Sequence, residues 1–137
     1  LERLKDLGAW ATINYRDVSD WDEKVLHLTG GRGVDHVVEV GGIETIKRSV
    51  RSTRNGGCIA IIGDLSGEGG SAEFAERDIQ MTPVTVGSRE MTADILRAFD
   101  FHKERPVIDR TFAFDEVKEA LAYLECGQHF GKIVLYN

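Results

Sequence analysis

The chemistry this sequence offers lies first in its backbone. Three times a run of apolar, mostly β-branched residues stops at glycine: Val40-Gly41-Gly42, Ile62-Gly63 and Val86-Gly87-Ser88. Glycine has no Cβ, so the chain at such a point can lie directly against a bound molecule. In an open parallel sheet, ligands bind at the carboxyl ends of the strands. One such turn need only be a turn; three at successive strand ends point to a shared ligand groove. Side chains offer less. Cys126-x-x-His129 supplies two metal-type ligands with no second pair to complete a four-ligand site, and reads as a helix end and its loop. His27, His36 and His102 share no metal spacing and have no nucleophile nearby in the sequence, so none is expected to be catalytic.

The elements that must position these turns can be read from period and punctuation. Leu1, Leu4 and Leu7 fall on one helical face, with Gly8 placed to end the helix. Residues 11–15 read as a short strand. Ser19 is a candidate N-cap, with Asp22 three residues on, for a helix burying Trp21, Val25 and Leu28. A strand is expected over 34–40 and a helix over 44–52 with Ile46 and Val50 inward, closed by Asn55-Gly56-Gly57. The unbroken apolar run 58–62 fits a strand buried on both faces of a parallel sheet. A glycine-rich mobile loop is expected over 63–71, then a short strand at 84–86 and a helix from Met91 that stops before Pro106. Residues 107–114 alternate, with Ile108, Phe112 and Phe114 on one face and Asp109 and Thr111 on the other, as in an antiparallel or mixed sheet. A helix capped by Asp115 and a strand over 131–136 finish the chain. The fold class is therefore α/β, a parallel sheet followed by a β-α-β tail, with a boundary near residue 105.

Composition narrows the function classes. The 137 residues are 42% hydrophobic and 29% charged, an ordinary globular balance. The net charge of −6, with no basic stripe, argues against nucleic acid as a partner. No apolar run approaches the roughly 18–20 residues that span a bilayer. Cys58 and Cys126 form no disulfide framework, and reduced thiols suit a cytoplasmic protein. The chain opens at Leu1, inside an apparent helix, which leads us to expect sequence upstream.

Six segments, in order, carry a family resemblance: Leu-Gly-Ala-x-x-x-Ile-Asn-Tyr at 7–15, the Leu-Thr-Gly-Gly-Arg-Gly-Val-Asp-His-Val-Val-Glu-Val-Gly-Gly run at 28–42, Gly-Gly-x-Ile-Ala-x-Ile-Gly at 56–63, Val-Gly-Ser-Arg at 86–89, Arg-Pro-Val-Ile-Asp-Arg-x-Phe-x-Phe at 105–114 and Phe-Gly-Lys-Ile-Val-Leu at 130–135. Together they closely resemble the C-terminal part of the medium-chain, zinc-type alcohol dehydrogenase and quinone oxidoreductase superfamily, over essentially the whole chain. The resemblance implies an incomplete Rossmann-like, doubly wound parallel sheet over 1–105, lacking its first βαβ step, and a segment over 106–137 that in the family returns to the catalytic domain. It implies NAD or NADP as cofactor, held weakly or not at all by this piece alone. Val40 and Gly41 match a turn along a cofactor ribose, and Ile62 and Gly63 a turn beside the nicotinamide. Val86, Gly87 and Ser88 match a strand end whose backbone holds the carboxamide. Tyr15 matches a position flanking the adenosine pocket, and Lys132 a basic position near the pyrophosphate; Arg89 reads as a surface or interface charge. No G-x-G-x-x-G occurs here, so the pyrophosphate turn and the residue that selects NAD or NADP lie before Leu1. The family's zinc ligands and proton-relay residues lie further upstream, so a zinc ion could belong only to a parent enzyme, many quinone-reductase relatives having none, and no catalytic residue is expected in this chain. A non-catalytic nucleotide-binding or assembly module is the alternative reading. Glu39-Val40-Gly41-Gly42 also faintly resembles the glycine turn of S-adenosylmethionine methyltransferases, but Glu44 stands where a further glycine is wanted.

The resemblance has a physical consequence. Without the family's first two strands, the third (12–15) and fourth (35–40) flank a gap, leaving bare edges. The expectation is that 12–15 pairs directly with 35–40, or that a partner chain fills the gap and makes a homo-oligomer through sheet edges. Family dimers join at the sixth strand, here 84–86.

Overall fold

The computed structural model describes residues 1–64 and 78–137, so most of the expected glycine-rich loop lies outside the described residues. The chain divides into two compact units, Leu1–Val86 and Gly87–Asn137.

The first unit contains α1 (Glu2–Asp6), α2 (Trp21–Leu28), β1 (Val34–Glu39), α3 (Ile46–Ser52), β2 (Thr53–Ile61) and β3 (Ile79–Pro83). The strands form one parallel sheet in the order β1-β2-β3. Side chains alternate between its faces. Val37, Ile59 and Met81, partners across the three strands, pack with Ile46 and Val50 of α3. Ile46 and Ile59 are fully buried, each contributing about 2 kcal/mol by removal from water. On the opposite face Val38 is 66% exposed. Asp22 of α2 is buried between Arg48 and Arg51, which tie α2 to α3 at 3.4 and 3.3 Å. Helix α3 runs into β2 with no loop between them. Thr53 at this junction is fully buried and donates its hydroxyl to the Ser49 carbonyl at 2.7 Å.

Residues 12–15 are not a strand and do not pair with β1. The chain there turns on Asn14. Its side-chain oxygen accepts the Arg16 N–H, its amide donates to Asp17, and its carbonyl accepts the Asp17 and Val18 N–H groups. Local hydrogen bonds of this kind compete with a sheet ladder. Among the described residues, no strand pairs with the outer edge of β1. The third strand is Ile79–Pro83 rather than 84–86; Val84 adds one last bond, donating its N–H to the Ile61 carbonyl at 2.8 Å. Asn55-Gly56-Gly57 lies inside β2 instead of closing a helix, and Asp20 rather than Ser19 precedes α2.

The second unit contains α4 (Arg89–His102), β4 (Ile108–Ala113), α5 (Val117–Glu125) and β5 (Lys132–Tyr136). Strands β4 and β5 form a parallel pair rather than part of an antiparallel or mixed sheet, and α5 between them supplies the crossover that parallel pairing needs. A register irregularity between Ile108 and Arg110 breaks the expected alternation. Asp109 turns inward, where it accepts the Tyr123 hydroxyl at 2.7 Å and the Phe130 N–H at 3.1 Å. That bond holds the Tyr123 phenol above its ordinary range. The Arg110 guanidinium lies 4.1 Å from the Tyr123 ring centre, a cation–π contact. Glu116, not Asp115, caps the turn before α5, accepting the Ala113 N–H at 2.8 Å. The fold class is thus parallel α/β with a β-α-β tail, as the sequence led us to expect.

Asp35 ties the start of β1 to its surroundings. Both its oxygens accept from Arg32 at 2.9 Å, and Arg54 Nε donates at 2.6 Å. These bonds hold its carboxyl well below the usual carboxylate range. A lowered carboxyl stabilises the fold above its unfolded pKa and loses that effect as pH falls. Asp35→Asn should therefore be slightly less stable than the parent near neutral pH. The gap should narrow as pH falls below about 4. Urea titrations at stepped pH check this, and a gap constant across that range would refute it.

Candidate functional site

Two strand ends meet in the first unit. β1 stops at Glu39, whose side chain is buried yet carboxylic. Burying such a group without partners is costly, so its hydrogen bonds decide what the chain does next. One carboxylate oxygen accepts the N–H groups of Gly41 at 2.8 Å and Gly42 at 3.1 Å, and the Thr45 hydroxyl at 2.6 Å. The other accepts the Ser49 hydroxyl of α3. The turn after β1 is thus folded back onto its own strand end and onto the first turns of α3. The Glu39 carbonyl, in turn, accepts the Ile62 and Gly63 N–H groups at 2.8 and 2.9 Å, joining the turn after β2. Ile43 N–H donates to the Asp64 carbonyl at 3.1 Å and closes the contact from the other side.

The fit between the turns accounts for their glycines. A Cβ on Gly63 would lie 2.5 Å from the Gly42 nitrogen and 2.7 Å from the Val40 oxygen. A Cβ on Gly41 would collide with the Thr45 side chain. Glycine is needed here for backbone packing against backbone and for keeping the Glu39 bonds short.

The structure brings several expected site residues together. Val40 and Gly41 share a groove of about 610 Å³ with Tyr15, which also receives Ala11, Ile13, Trp21, Val25 and residues 37–39 along the unpaired edge of β1. Ile62 and Gly63 stand against Val40–Gly42 through the bonds just described. Val40 and Ile62 present exposed side chains. Val86 ends the first unit fully exposed. Gly87, Ser88 and Lys132 belong to the second unit. Ser88 caps α4, accepting the Met91 N–H at 3.2 Å. Gly87 has no close neighbour: an added Cβ would come no nearer than 3.4 Å to Met91. Lys132 is exposed at the start of β5, beside a hollow of about 290 Å³ that also receives His129 and Leu135.

The carboxylate that organises both turns was missed in the sequence. The signal was present, as an acid breaking the apolar run Val37-Val38-Glu39-Val40 with hydroxyls at Thr45 and Ser49. Among the described residues, no three His, Cys, Asp or Glu side chains converge to hold a metal ion. No helix among them is long and apolar enough to cross a membrane.

The sequence profile of the zinc-binding dehydrogenases matches residues 7–135. A zinc-type alcohol dehydrogenase-like protein of Schizosaccharomyces pombe is 35% identical over 142 residues, which cover 98% of this chain and 41% of that protein. The crystal structure of an NAD-dependent alcohol dehydrogenase superposes with a TM-score of 0.84 at 36% identity, over 100% of this chain and 40% of that one. A 2-haloacrylate reductase structure matches with a TM-score of 0.78 at 27% identity, over 99% and 46%. The chain therefore spans about two-fifths of the length of these relatives.

The two kinds of glycine should separate on substitution. Gly63→Ala should destabilise the chain by roughly 2–4 kcal/mol, because backbone on the facing turn must move. Glu39→Gln should cost about 1–3 kcal/mol by turning an acceptor into a donor among donors. Gly87→Ala should be neutral within about 0.5 kcal/mol. Chemical denaturation of the three variants checks this; equal effects of Gly63→Ala and Gly87→Ala would refute it.

Proposed function

The chain belongs to the zinc-binding dehydrogenase family, and we propose that it forms one wall of the nucleotide cleft of an NAD(P)-dependent oxidoreductase. The observation that carries this reading is the interlocked pair of glycine turns at the ends of β1 and β2. They leave only backbone, with the Val40 and Ile62 side chains, at the strand ends where such a sheet binds its ligand. By the family resemblance, Val40 and Gly41 would lie along a ribose, Ile62 and Gly63 beside the nicotinamide, and Tyr15 against the adenosine portion. The family resemblance alone gives Val86, Gly87 and Ser88 a role at the carboxamide, through backbone groups, and Lys132 one at the pyrophosphate, as an ammonium facing a diphosphate. The cofactor, when bound, supplies hydride chemistry toward an alcohol, aldehyde or quinone-type substrate. This chain's part is to bind and orient it, and to keep water from one side. Zinc finds no ligand set among the described residues, and in a longer protein it would be held by the catalytic domain.

A second, compatible reading concerns assembly. The groove beside Tyr15 runs along the unpaired edge of β1, where N–H and C=O groups are available to another strand. We propose that a strand seats there, from the longer protein or from a second copy.

The native polypeptide carrying this sequence, purified from its source, tests the first reading. NADH or NADPH should quench its tryptophan emission saturably, since Trp21 lines the same groove as Tyr15. Tyr15→Ala should weaken that binding by roughly tenfold through lost aromatic contact. A native polypeptide that binds neither nucleotide would overturn the proposal.

A further inference from the structure

The face of the β1-β2-β3 sheet away from α3 carries a pair of side chains that the nucleotide reading does not use. His36 of β1 and Cys58 of β2 are partners in the parallel register. Each stands next to a residue that packs toward α3, Val37 and Ile59, so both project to the opposite face. Cys58 Sγ lies 2.6 Å from His36 Nδ1. His36 is exposed and Cys58 half-buried, and the thiol is free. The strand on the other side contributes Gln80, which is uncharged. The nearest charged groups along the two strands, Asp35 and Arg54, are bonded to each other at 2.6 Å. Cys58 is three residues back from the end of β2, about 10 Å from that strand end and about 16 Å from Gly63.

A thiol becomes nucleophilic as its thiolate, and a neighbouring imidazole that takes the proton is a common way to reach that state. We propose that Cys58 is a reactive thiol, activated by His36, that exchanges with low-molecular-weight disulfides. In the step, the Cys58 sulfur attacks one sulfur of the disulfide. A new Sγ–S bond forms, the original S–S bond breaks, and the departing sulfur leaves with the electron pair as a thiolate. The proton given up by Cys58 rests on His36 and is available to the leaving thiolate. The small disulfide is the oxidant; the protein ends as a mixed disulfide and one small thiol is released. Cys126 is the internal control. It is more exposed, but its Sγ donates to the Tyr123 carbonyl at 2.9 Å, an oxygen that cannot take its proton.

The test exposes the native polypeptide carrying this sequence to glutathione disulfide near neutral pH and follows Cys58 and Cys126 by peptide mass mapping. Cys58 should be modified roughly tenfold faster than Cys126, despite being less exposed. His36→Asn should slow Cys58 by about tenfold and leave Cys126 unchanged. In denaturing guanidinium the preference of the parent chain should vanish, which ties it to the fold without relying on a variant. Equal rates at the two cysteines in the native chain, or a Cys58 rate indifferent to His36→Asn, would overturn the proposal.

Discussion

The arrangement of the first unit depends on one buried carboxylate. Glu39 ends β1, and its side chain cannot stay dry without donors. Two backbone N–H groups and two hydroxyls supply them, all within the next ten residues. Satisfying that group bends the chain into the turn at 40–42 and sets where α3 begins. The carbonyl of the same residue takes two N–H groups from the turn after β2. One residue thus fixes both strand ends, and the glycines at 41 and 63 follow from how closely the two turns then lie. Charge-assisted bonds to backbone N–H are stronger than neutral ones, which suits a junction with few apolar contacts of its own.

Much of this was legible in the residue pattern. Apolar spacing located the helices that became α2, α3, α4 and α5, and the β-branched runs located β1 and β2. What stayed hidden depends on partners distant in sequence or on local competition. Residues 12–15 have strand-like composition, yet Asn14 offers the backbone a turn and no neighbouring strand offers a ladder. The tail alternates like an antiparallel strand, but a helical crossover makes its strands parallel whatever the alternation. The family resemblance pointed to the glycine turns but not to the carboxylate beneath them. It was equally silent on His36 and Cys58, twenty-two residues apart in the chain and adjacent only through sheet register.

The two faces of the first sheet differ in kind. Toward α3 it is sealed by Val37, Ile46, Val50, Ile59 and Met81. The other face carries Val38, Val40 and Ile62 in the open. The sealed face alone is enough to hold strand register, because a one-residue slip of β2 would turn Ile59 outward and Cys58 into the core.

The interlocked turns also bear on how a ligand would be chosen. Their atoms are already pinned by short bonds. A molecule settling on such a surface finds it preorganised and has little chain entropy to freeze there. Discrimination at these strand ends would then rest on shape exclusion rather than on mutual adjustment. A nucleotide too broad by one substituent would be refused by rigid backbone, not accommodated by it.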